Sequence, residues 1–209
     1  MRLIVFVLAI LAAITCIVSS TTGRKRSFYV SKPLATLLIL LIAALPANAS
    51  LGWYGWLIIT GLCFSLFGDI FLMLPSDRFK EGLVAFLLAH SCYIAAFLPG
   101  IELRFTPYLL LPILGFGIWI YVKLYRSLRS LRIPVLVYTA TILTMAWLAL
   151  ERLQQIGGPG PLLAATGALF FVASDCTLPW NRFVGKLPSA QIVILGTYYI
   201  AQLLIAAST

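Results

Sequence analysis

The chain reads as an all-α, polytopic membrane helix bundle of about eight transmembrane helices, and three observations carry that expectation. It is 62% hydrophobic and only 10% charged, with a mean hydropathy of +1.04 over 209 residues, too apolar to furnish the surface of a soluble domain. Pro, Gly and clusters of charge cut it into apolar runs, most of them near the length a helix needs to cross about 30 Å of hydrocarbon. Within those runs polar and apolar residues do not alternate, as Leu37-Leu38-Ile39-Leu40-Leu41-Ile42 illustrates. A membrane β-barrel requires that alternation.

The cuts give spans at 3–20, 33–48, 53–74, 79–98, 106–122, 133–150, 160–177 and 189–207. The first ends in Ser19 and Ser20 and shares features with an export signal. Arg24-Lys25-Arg26 follows it directly, however, and a basic flank on the far side resists export, so it is read as a helix. The second opens at Lys32-Pro33. The third and fourth are parted by the charged stretch from Asp77 to Glu81, the fifth and sixth by Lys123 to Arg132, and the seventh and eighth by Arg182 to Pro188. The whole is expected to be one integral membrane domain, 1–209, with a pseudo-repeat of 1–98 against 106–209.

The net charge of +9 comes from Lys and Arg residues that lie in short clusters between apolar runs, where anionic membrane lipids and topology explain them. With no basic domain outside the bilayer, nucleic acid is excluded as a partner. Loops after the first, third, fifth and seventh spans hold twelve of the fifteen basic residues; the other side has only Arg2, Arg104 and Arg152. The positive-inside rule therefore puts those loops in the cytoplasm, and a bacterial inner membrane is the expected location.

Two aspartates, Asp69 and Asp175, stand inside otherwise apolar spans, where a carboxylate costs several kcal/mol and marks a functional site by default. They share a frame. The pattern G-x-x-F-x-x-x-[GS]-D-x-x-L runs from Gly61 to Leu72 and again from Gly167 to Leu178, and an Arg-Phe pair follows each copy, Arg78-Phe79 and Arg182-Phe183. The copies lie four spans apart and so share orientation, which suggests two parallel four-helix halves about an axis along the membrane normal. Such an axis would bring both carboxyl groups together near the cytoplasmic end. The competing explanation is that small residues and Phe are common wherever membrane helices pack.

An ordered set of residues resembles the YhhN-type lysoplasmalogenase family of multispanning membrane proteins. It comprises Lys32-Pro33-Leu34, Gly68-Asp69-Ile70-Phe71-Leu72-Met73, Phe86 with His90 and Tyr93, Pro134-Val135 with Tyr138, Gly167-Ala168 with Phe170, Ser174 and Asp175, and Thr197-Tyr198-Tyr199 with Ala201-Gln202. The first span and the region from Arg104 to Leu131 match only in being apolar or basic, and Pro179-Trp180-Asn181 stands apart from the pattern. The resemblance implies an eight-helix fold that hydrolyses the vinyl ether bond of a lysophospholipid, the lysoplasmalogen, to a fatty aldehyde and a glycerophospho-base. It implies Asp69 and Asp175 as the catalytic pair.

The chemistry suits two acids. Vinyl ether hydrolysis needs a proton on the alkenyl carbon, an oxocarbenium ion, and then water. Paired carboxyl groups divide such work in glycosidases, one donating the proton while the other stays ionised. No cofactor and no metal are required. Sequence does not fix which aspartate donates, but the flanks lean toward Asp69 as the acid: Phe67, Ile70 and Phe71 make its setting the more apolar, whereas Ser174 and Thr177 could hydrogen-bond an ionised Asp175.

His90, the only histidine, is either a buried hydrogen-bonding residue or a group that orients an aspartate or moves a proton. Lys32, Arg78 and Arg182 are candidates for the substrate phosphate, against the plainer role of topogenic anchors. Tyr93, Tyr138, Tyr198, Tyr199 and Gln202 are candidates to line a headgroup cavity, against packing or an interfacial belt. Cys16, Cys63, Cys92 and Cys176 are scattered, with no zinc or disulfide spacing. A Walker loop, a G-x-S-x-G elbow and a dinucleotide fingerprint are absent. The rival function is a proton-coupled transporter or lipid flippase, which would also set acids in repeated apolar halves.

Overall fold

The computed structural model describes residues 1–45, 51–104 and 106–209, so the end of the expected second span, 46–48, lies outside the described residues. Among the described residues eight α-helices follow one another: α1 (Arg2–Thr21), α2 (Lys25–Ala44), α3 (Trp53–Met73), α4 (Phe79–Phe97), α5 (Pro107–Leu128), α6 (Arg132–Ile156), α7 (Pro159–Pro179) and α8 (Ala190–Ala207). A 3-10 turn, Arg129–Leu131, joins α5 to α6, and a wide π-type turn, Trp180–Val184, follows α7. Among the described residues, helices long and apolar enough to cross a bilayer number seven when the continuous run Pro107–Ile156 is counted once. Within that run Gly117 lies against Leu143, so the chain folds back on itself at the 3-10 turn. The protein is a multi-pass integral membrane protein.

Several helices extend past the boundaries read from charge. A basic residue ends an apolar run without ending a helix, because Lys and Arg are good helix formers whose long stems reach toward polar surroundings. The consequence matters most in α2, which begins at Lys25 and carries Pro33 in its interior rather than at its start. Lys32 is thereby drawn into the bundle and is 6% exposed.

Adjacent helices pair as α1 with α2, α3 with α4, and α7 with α8, while α6 packs on both α4 and α7. Helix α8 also meets α1, α2 and α3. Helix α5 stands outside this group, against α6 and the π-type turn. Large side chains such as Leu37, Leu41, Trp119 and Ile200 point outward, where lipid receives them.

The repeated glycines explain their own recurrence. Gly61 of α3 lies beneath the Tyr93 ring of α4, and Gly167 of α7 lies against the Ala201 carbonyl of α8; a methyl group on Gly167 would come within 2.9 Å of that oxygen. Small residues allow such close helix contact where no hydrophobic effect drives association. Gly167→Val is expected to cost about 1–3 kcal/mol, as overpacking does, seen as a lower midpoint in detergent unfolding. An unchanged midpoint would show that α7 and α8 do not need this approach.

Candidate active site

The second-last turn of α3 carries Asp69, which is 1% exposed. Three side chains converge on it. Lys32 Nζ lies 3.3 Å from Oδ1, Thr36 Oγ1 donates to Oδ2 at 2.6 Å, and Tyr198 OH of α8 donates to the same oxygen at 2.7 Å. Lys32 Nζ also lies 3.4 Å from the Asp69 main-chain carbonyl. Lys32 and Thr36 are four residues apart, hence on one face of α2. A buried ammonium and carboxylate are each costly alone and tolerable together when their remaining capacity is hydrogen-bonded.

Asp175, on α7, has different company. Tyr138 OH of α6 donates to its Oδ2 in a short hydrogen bond. His90 Nε2 of α4 stands 3.8 Å from that oxygen, beyond hydrogen-bond reach. His90 is wholly buried in an aromatic cage, with ring centroids at 4.7 Å for Phe171, 5.4 Å for Tyr138 and 6.3 Å for Tyr93. Neither of its ring nitrogens has a hydrogen-bond partner among the described residues. No lysine or arginine lies within ion-pair distance of Asp175 among them either.

Both aspartates line one cavity, together with Lys32, Tyr138 and Tyr198. The rest of its wall is largely apolar, including Leu83, Phe86, Leu178 and Ile194. Six helices contribute, and the cavity sits at the end of the bundle where the basic loops gather. Asp69 and Asp175 thus face the same hollow.

The flanking residues misled the assignment of local environments. Phe67, read as an apolar neighbour of Asp69, is 53% exposed and faces outward. Ser174 and Thr177, read as donors to Asp175, spend their hydroxyls on the main-chain carbonyls of Ile194 and Ala173. Neighbours in sequence on a helix point in different directions, and the groups that meet each carboxyl come from other helices.

Of the remaining expected residues, Arg182 and Arg78 stand at an adjoining recess that shares Leu72 and Phe79 with the cavity wall. Arg182 Nη2 donates to both oxygens of Asp77, at 2.7 and 2.8 Å, and its guanidinium lies 4.5 Å over the Phe79 ring. Arg78 pairs with Glu81 at 3.5 Å on the exposed surface. Tyr93, Tyr199 and Gln202 are not on the cavity wall. Tyr199 OH turns to Cys16 Sγ of α1, and Tyr93 and Gln202 belong to a buried hydrogen-bond network behind Tyr198. Thr36 was missed, although its place one turn beyond Lys32 would have marked it once α2 was known to include Lys32. Among the described residues no three His, Cys, Asp or Glu side chains gather as a metal would require.

Residues 27–209 match the YhhN family. The chain belongs to that family. It is 37% identical over 157 residues to lysoplasmalogenase TMEM86A of Bos taurus, covering 72% of this chain and 64% of the relative. It is likewise 37% identical over 157 residues to lysoplasmalogenase TMEM86B of Homo sapiens, covering 75% and 65%. Thus it spans just under two thirds of the length of these curated relatives. The membrane protein YhhN of Escherichia coli O157:H7 is 28% identical over 205 residues, 97% of each chain. No solved structure matches.

For this YhhN-family site, Lys32→Met strands a buried carboxylate and is expected to cost about 3–5 kcal/mol of stability. The double change K32M/D69N should regain most of it in the same unfolding assay, since removing both charges removes the imbalance. Losses that simply add would mean that the two groups do not act as a pair.

Proposed function

We propose that this protein is a lysoplasmalogenase: it hydrolyses the vinyl ether bond of a lysoplasmalogen to a fatty aldehyde and a glycerophospho-base. The observation that carries the proposal is one largely apolar cavity holding two carboxyl groups in unlike surroundings. Lys32, Thr36 and Tyr198 stabilise Asp69 as the anion. Asp175 has no such cation, and it is assigned as the proton donor, the reverse of what the flanking residues suggested.

The alkenyl chain lies along Leu83, Phe86, Leu178 and Ile194 with its vinyl ether between the two acids. Asp175 gives its proton to the vinyl carbon one bond removed from the ether carbon, and the resulting oxocarbenium ion is stabilised by the Asp69 carboxylate across the cavity. Water held by Asp69 adds to the cationic carbon, Asp69 taking up the released proton. The hemiacetal collapses as its C–O bond to glycerol breaks: its hydroxyl proton returns to Asp175, and Asp69 protonates the departing alkoxide. One water is consumed and both acids regain their starting states. Tyr138 fixes the Asp175 carboxyl, and His90 packs behind it within reach of a small movement.

The substrate phosphate is assigned to the recess of Arg78 and Arg182, where it would compete with Asp77 for the Arg182 guanidinium. The basic end of the bundle is assigned to the cytoplasmic face of the cell membrane by the positive-inside asymmetry.

Purified protein in detergent is expected to release aldehyde from a lysoplasmalogen and nothing from the matching ester-linked lysolipid. Asp175→Asn should lower that rate at least a hundredfold, the scale of a lost acid or base, with normal folded yield; Asp69→Asn should lower it as far per folded molecule, at a stability cost like that of Lys32→Met because it leaves the buried ammonium unpaired. Activity that survives both changes contradicts the two-acid mechanism, and lipid movement across vesicles without turnover favours a flippase instead.

A further inference from the structure

A line of hydrogen bonds runs from the middle of the bundle to Asp69. Tyr93 OH donates to Gln202 Oε1 at 3.2 Å, Gln202 Nε2 donates to Tyr198 OH at 2.9 Å, and Tyr198 OH donates to Asp69 Oδ2 at 2.7 Å. Ser65 Oγ lies 3.5 Å from Tyr93 OH at the far end. Ser65, Tyr93 and Gln202 are wholly buried and Tyr198 is 4% exposed, so the line is shielded from bulk solvent.

The direction of this line is forced. An ionised carboxylate only accepts, so the single Tyr198 proton must point at Asp69. The Tyr198 oxygen is then left to accept, which requires the amide NH2 of Gln202 to face it. The Gln202 carbonyl is thereby left for Tyr93, whose own proton must go there. Reversing any one bond would leave two donors or two acceptors face to face in a region where unsatisfied polar groups are costly.

We propose that Gln202 is a positioning residue for the reaction: through its amide it fixes the Tyr198 proton on Asp69, and so holds that carboxylate in one orientation toward the cavity. Gln202 touches neither cavity nor substrate; it acts through Tyr198, with Tyr93 setting the sense of the amide. The proposal rests on Asp69 being the working carboxylate proposed above. It assigns Gln202 and Tyr93 a function other than the cavity lining expected from sequence.

Gln202→Glu tests it, because the side chain keeps its size but presents only acceptors when ionised. The Tyr198 proton should then turn from Asp69 to the new carboxylate. The expected result is a kcat for aldehyde release lowered about tenfold or more, the scale of one hydrogen bond to a charged group, with KM little changed. Combining Q202E with Tyr198→Phe should be no slower than Tyr198→Phe alone, since both break the same line.

Resonance Raman spectra of the substrate-free protein give a readout independent of turnover. Ring modes assigned to Tyr198 by their loss in Tyr198→Phe report the hydroxyl's hydrogen bonds, and they should shift in Q202E. If Q202E fails to fold, Tyr93→Phe, which removes only the proton that orients the amide, should shift the same modes. Wild-type kcat with unshifted Tyr198 modes in Q202E, or losses that multiply in the double variant, would overturn the positioning role. A wild-type protein that releases no aldehyde would sink the lysoplasmalogenase proposal instead, while the Raman comparison still decides the hydrogen-bond line.

Discussion

The Lys32–Asp69 ion pair is the contact on which the site depends. Neither charge could be kept in a bilayer interior alone, and their union at 3.3 Å ties α2 to α3 at the cavity wall. Thr36 and Tyr198 complete the shell, so that three side chains from two helices meet at one carboxylate. With the cation committed there, Asp175 is left with Tyr138 and a histidine that does not reach it. A pair of acids alike in sequence thereby becomes a pair unlike in chemistry.

The repeated frame makes that asymmetry intelligible. Lys32 and Tyr138 each stand 37 residues before the aspartate they contact, so they occupy equivalent places in the two copies. Each aspartate is met by the helix that precedes it and by the last helix of the opposite half: α8 supplies Tyr198 to Asp69, and α4 brings His90 beside Asp175. This cross-bracing supports the proposal of two parallel halves around a shared axis. Within such a frame, a lysine in one place and a tyrosine in the other give the two acids unlike partners.

Much of the fold and the pair of acids was legible in sequence because both rest on composition. Long apolar runs declare themselves, and two charges within them stand out against their background. What escaped notice depends on three-dimensional neighbours. Lys32-Pro33 looked like a helix start because charge and proline usually end apolar runs, yet α2 continues through both. Phe67 looked like shelter for Asp69 but faces lipid, and Tyr93 and Gln202 looked like cavity residues but lie behind its wall. Glu151 was passed over beyond the end of the expected sixth span. It is fully buried, accepting from the Thr106 main chain at 3.0 Å and from Trp147 and Gln155 at 3.1 Å. It lies about four helical turns from Val135 at the cavity, holding the start of α5 to α6, so burial of an acid alone does not distinguish structure from catalysis.

The division of labour between the acids is open to direct measurement by infrared spectroscopy of the purified protein near neutral pH, comparing wild type with D69N and D175N. The carbonyl stretch of a protonated carboxyl group should be present in the wild type, persist in D69N and vanish in D175N. A band that vanishes in D69N and persists in D175N would place the proton on the wrong acid and contradict the mechanism.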